Sequence, residues 1–82
     1  MSPKAQVLAL LDARAEGATV CPSEAARALA GEDGDWRARM PEVRAAVDQL
    51  TAEGRVRLSW KGRPMSSRAG AYRIGRASAL RP

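Results

Sequence analysis

Arg55, Arg57, Lys61, Arg63, Arg68 and Arg73 follow one another along a stretch in which no Asp or Glu stands. Two segments of it, "RVRLSW" and "AYRI", alternate apolar with charged or polar residues. That period of two places Arg55, Arg57 and Arg73 on one face of an extended chain and Val56, Leu58, Tyr72 and Ile74 on the other. The chemistry open to such a pattern is the capture of an anion. A guanidinium is permanently charged, and its planar fork makes two hydrogen bonds to a single phosphate. Between the two segments lies "KGRPMSSRAG", where Gly62 and Gly70 let the backbone approach a ligand closely. A smaller group, Arg37 and Arg39, precedes Pro41 near a helix start, where free N–H groups already favour an anion. Arg44 follows, although its i, i+4 spacing from Asp48 suits a surface ion pair. The candidate nucleic-acid-binding residues are therefore Arg37, Arg39, Arg44, Arg57, Lys61, Arg63, Arg68 and Arg73.

Covalent chemistry has little to work with. The chain has no His, which removes imidazole acid–base catalysis and zinc ligation of the common Cys/His kinds. The single cysteine, Cys21, cannot form an internal disulfide and reads as a small buried thiol. Ser23, Ser66 and Ser67 have no visible base, and no phosphate-binding glycine loop is present. The reading is not an enzyme, with no cofactor and no metal.

Charge is blocked along the chain. Residues 1–54 hold six bases and nine acids, whereas residues 55–82 hold eight bases and no acid, which together give the net +5. A basic block of this kind fits an anionic partner, either nucleic acid, double-stranded DNA first, or an acidic protein surface. Twelve of the 14 bases are Arg, so part of the total reflects Arg-rich composition alone. The longest early apolar run, "VLALL", is too short for a signal sequence or a membrane span, so no membrane association and a cytoplasmic location are expected.

The elements that must position these residues can be read in order. "MSPKAQVLALLDARAEG" has Ser2 as N-cap, Pro3 at the first helical position and Gly17 as a stop, which predicts a helix over 3–16. "ATVC" is a brief extended piece. In "CPSEAARALAG", Pro22 starts a second helix, Glu24 supports its first turn and Gly31 ends it. "GEDGD" is a polar turn that ends on the N-cap candidate Asp35. Trp36, Met40, Val43, Val47 and Leu50 then share one helical stripe. Pro41 interrupts it, which predicts a short turn at 36–39 and a main third helix from Pro41 to Glu53, closed by Gly54. Two antiparallel strands follow, joined by the "KGRPMSSRAG" loop. With only 82 residues, the chain forms one domain over 1–76 and a frayed tail at 77–82.

This order predicts an α+β, mainly helical fold, a winged helix-turn-helix (α-β-α-α-β-β) with three helices and a small antiparallel sheet. The second and third helices form the helix-turn-helix and the basic loop forms the wing. At residue level, "CPSEAARALAG", "DWRARMPEVRAAVDQLTAEGRVRLSWKGRP" and "AYRI" resemble a family of small bacterial proteins known as domain of unknown function 3253. The resemblance runs from Val7 to about Ile74; it implies a winged-helix-like fold and brings no activity or ligand with it.

Within that frame the wing is the stronger contact. From Asp35 to Glu53 the third helix carries three bases against four acids, a poor balance for a helix that meets phosphates. Only Gln49 and Arg44 are suited to reading base edges there, so weak or shape-based binding is expected of a monomer. The rival reading is a protein-interaction module of the same fold. The apolar stripe of helix one either closes the domain's own core or, at its Leu10 margin, packs against a second subunit in a homodimer. Trp60 reads as a core or sheet-edge residue, with base stacking the less favoured use.

Overall fold

The computed structural model describes residues 2–15 and 17–77. Three helices and four strands occur in the order α1 (Pro3–Asp12), β1 (Thr19–Val20), α2 (Pro22–Ala30), α3 (Trp36–Ala52), β2 (Val56–Trp60), β3 (Arg63–Met65) and β4 (Arg73–Arg76). The strands form one antiparallel sheet in the order β1-β4-β2-β3. The fold is α+β with a winged-helix-like layout. The expected frayed tail falls, apart from Ala77, outside the described residues.

Helix starts follow local chemistry. Ser2 Oγ accepts from the Ala5 N–H at 3.1 Å, and the Asp35 carboxylate accepts from the Ala38 N–H at 3.4 Å. At α2 the Glu24 carboxylate reaches back to the Cys21 N–H at 2.9 Å, satisfying a donor that the helix itself leaves free. Helix α3 ends in a Schellman arrangement, with the Gly54 N–H donating to the Thr51 carbonyl and the Arg55 N–H to the Leu50 carbonyl.

Three expectations need correction. Helix α1 stops at Asp12 rather than near residue 16. Its last carbonyls are met from across the molecule, where Arg76 Nη2 donates to the Leu11 carbonyl at 2.9 Å and to that of Arg14 at 3.4 Å. Helix α3 is continuous from Trp36 to Ala52, with Pro41 inside it. The ring sits on the exposed side and forfeits one hydrogen bond, to the Arg37 carbonyl; packing of Trp36 and Met40 against the core holds the preceding turn in line. Third, the wing is not one long loop. Lys61 and Gly62, with φ of 53° and 80°, make a two-residue turn of the type that matches strand twist, and the chain returns as the edge strand β3.

The core lies between the helices and one face of the sheet. Val20, Ile74, Leu58 and Met65 form a row across the four strands, and Val7, Val43, Val47 and Leu50 of the helices close over that face. In α1, Val7 and Leu11 are buried while Leu8 and Leu10 pack half-buried at the core's edge. Gly34 also has a packing reason: a Cβ there would meet the Ala30 carbonyl oxygen at 2.1 Å, so the polar turn can fold tightly against the end of α2 only with glycine at that place.

Lys61 adopts a left-handed conformation that Asn tolerates better. Lys61→Asn is expected to stabilise the fold, read as a higher urea midpoint with an unchanged denaturant slope.

Candidate nucleic-acid interface

The eight predicted cations divide by what they touch. Arg68 lies on the loop that returns from β3 to β4, and its guanidinium grips Asp48 of α3 with two bonds of 2.8 and 2.9 Å. That contact takes the partner expected for Arg44 and corrects the predicted Arg44–Asp48 pair. Arg39 donates to Glu42 at 2.7 Å and to the Leu29 carbonyl at 3.2 Å. Arg73, on the outer sheet face, donates to Thr19 Oγ1 at 3.0 Å and to the Thr19 carbonyl at 3.3 Å, tying β4 to β1. These three bind the protein to itself.

The others are turned outward. Arg37 is exposed and lies 4.5 Å above the Trp36 ring, which Arg27 also approaches at 4.6 Å. Among the described residues, Arg44, Arg57, Lys61 and Arg63 make no ion pair or side-chain hydrogen bond, and all four are exposed. The strand register separates them. Arg57 pairs with Gly75 on the outer sheet face, whereas Arg63 stands opposite Trp60, on the face that carries Leu58 and Met65. Arg63 therefore overhangs the helices at the hairpin tip. Arg37, Met40 and Arg44 lie three and four residues apart, so they share one stripe of α3.

Pairing also changes the charge of α3. Of the four acids counted along it, Glu42 is matched by Arg39, Asp48 by Arg68 and Glu53 by Lys4 at 2.8 Å, while Asp35 caps the helix. The Arg68 guanidinium holds the Asp48 carboxyl below its ordinary range, first through the hydrogen bond it donates. The acid excess visible in the sequence is neutralised in the fold, partly by residues outside the helix. The same Arg68 contact lays Ser66 and Ser67 beside Asp48, Thr51 and Ala52, so the returning loop flanks the C-terminal half of α3. Its N-terminal half stays open.

Between that open half and the hairpin runs a groove of about 360 Å³. Cys21, Pro22, Met40, Arg44, Trp60, Tyr72 and Arg73 line it, with Gly70 and Ala71 of the returning loop, and none of its lining residues is an acid. Trp60 is 41% exposed, the only large apolar side chain so placed among the described residues. It ends β2 and extends past the core, so of the two expectations, core or sheet edge, the core one is corrected. Cys21 is half-buried, with Sγ 3.2 Å from Ser23 Oγ. Sequence reasoning missed Arg76, whose contact with the end of α1 depends on a tertiary pairing that no local pattern announces. No group of three or more metal-ligating side chains occurs among the described residues, and no helix is long and apolar enough to cross a membrane.

A family model described as "Protein of unknown function (DUF3253)" matches residues 2–77. A search of the curated proteins finds no match.

Glu24 braces the groove's near wall by capping α2 and accepting from Arg14 Nη2 at 2.6 Å. The Cys21 N–H first, and Arg14 after it, hold its carboxyl below the ordinary 4.5. Its folded pKa is below its unfolded one, so this stabilisation is complete above about pH 4.5 and is lost as pH falls through the folded value. Glu24→Gln is expected to lower the melting temperature at pH 7 and to flatten its fall below pH 4.5, measured by thermal melts across pH.

Proposed function

We propose that this chain, which belongs to the DUF3253 family, is a nucleic-acid-binding protein of the cytoplasm that meets the phosphate backbone of DNA with its hairpin tip and the N-terminal half of α3. The observation that carries this reading is a set of four exposed cations, Lys61 and Arg63 at the hairpin tip and Arg37 and Arg44 on one stripe of α3, none of them held by a carboxylate among the described residues. A cation paired within the fold has less to gain from phosphate than one left to water. Arg39, Arg68 and Arg73 are therefore assigned to the scaffold. The returning loop limits how far the C-terminal half of α3 can enter a groove of DNA, which favours contact through backbone and shape over base reading.

The test is fluorescence anisotropy of a labelled mixed-sequence duplex at several salt concentrations. Four phosphates neutralised by Arg37, Arg44, Lys61 and Arg63 give a log–log slope of about −3.6. Arg63→Ala should bring the slope to about −2.7, while Arg57→Ala, on the opposite sheet face, should leave it unchanged. Absence of binding even at low salt rejects the proposal and leaves the cationic tip to an acidic protein surface.

Asp48→Asn supplies an independent check, because it removes the charge that holds Arg68. The freed guanidinium adds a phosphate contact, so the duplex should bind more tightly, with a slope steeper by about 0.9.

A further inference from the structure

Trp60 stands at the mouth of the α3–hairpin groove, and its surroundings are unusual for an exposed tryptophan. One wall is apolar, formed by Met40, Pro22 and the Tyr72 ring. Arg44 lines the same groove without a carboxylate partner among the described residues, and Arg63 is the cross-strand neighbour of Trp60. Opposed residues in an antiparallel pair are close enough for their side chains to meet one object. Tyr72 is only 7% exposed, and its hydroxyl is buried without a hydrogen-bond partner. The volume of about 360 Å³ lies at the small end of ligand sites.

We propose that the groove receives one unpaired nucleobase, stacked on Trp60, with the phosphates on either side of it held by Arg44 and Arg63. This rests on the nucleic-acid reading above and narrows it: the preferred partner exposes a base, as a single strand or a locally opened duplex does. Two features select a base over other flat molecules. The stacking surface is aromatic and every base has a π-face. The flanking charges are both cationic, as phosphates on two sides of a base require. A second tryptophan, Trp36, lies outside this groove, with the Arg27 and Arg37 guanidinium groups against its ring.

The experiment compares a short mixed-sequence single strand with its own duplex. Replacing Trp36 by Phe leaves Trp60 as the sole tryptophan, so emission reports on the groove alone. The single strand is expected to quench that emission and to bind more tightly than the duplex. Trp60→Ala should weaken single-strand binding about 5- to 150-fold while leaving duplex affinity and the salt slope unchanged; Trp60→Phe should restore most of the loss. Because Trp60 contributes little to the core, circular dichroism of these variants should match the parent. Single-strand binding with silent Trp60 emission, or equal weakening of both partners by Trp60→Ala, overturns the stacking proposal and leaves the backbone reading standing. Failure to bind either nucleic acid overturns both.

Discussion

The clamping of β4 between β1 and β2 is the constraint on which the rest of the structure depends. Ile74 faces Val20 on one side and Leu58 on the other, and all three are essentially removed from water. The strand thereby joins a two-residue piece near the start of the chain to the hairpin that follows α3. Closing so long a loop costs entropy that grows only slowly with its length, and the apolar row against Val43, Val47 and Leu50 offsets it. Arginines secure both ends of the strand. Arg73 reaches Thr19 on the outer face, while Arg76 reaches the terminal carbonyls of α1 from the inner one. Without this clamp neither the hairpin tip nor the returning loop has a fixed place beside α3.

The same constraint divides a basic stretch that composition treats as uniform. Because no carboxylate lies within it, each arginine drawn inward by the fold must find an acceptor elsewhere in the chain. Arg68 finds Asp48, Arg73 finds Thr19, and Arg76 finds a helix end. Residues on the hairpin ahead of the returning loop face no such demand. Arg57, Lys61 and Arg63 stay in water because the strands carrying them end beyond the core or point away from it. An excess of arginine thus serves two purposes in one segment, and register, more than residue type, decides which arginine serves which.

Local signals made most of the fold legible from sequence. Ser2, Pro22 and Asp35 announced helix starts, Gly31 and Gly54 announced stops, and the alternation around Leu58 and Ile74 announced the sheet. The order of elements followed from these. What stayed hidden depended on contacts distant in sequence. The end of α1 is set by Arg76, not by Gly17. Pro41 read as a break because one lost hydrogen bond is visible locally, whereas the packing of Trp36 and Met40 is not. Strand β3 was masked by a turn with Lys where Asn or Asp is usual and by a Pro at its centre. At the candidate site the residue types were visible, but the capture of Asp48 by Arg68 and the face occupied by Arg63 were not, since each requires the hairpin register.

That register also bears on how any partner can be engaged. A sheet can recruit another chain by pairing along an open edge, but both edges here are poor templates. On one side β1 is two residues long. On the other, β3 is three residues long, with Pro64 at its centre lacking an N–H and Arg63 beside it. Short strands, proline and charge at an edge all oppose backbone pairing. Recognition must then run through side chains, and the side chains that the fold leaves unengaged and exposed near the groove are an aromatic ring and cations. An acidic peptide would satisfy the cations but has no general use for the ring; a lone apolar ligand would satisfy the ring but not the cations. A base with its two phosphates satisfies both, which is why the nucleic-acid reading accounts for more of this surface than either alternative.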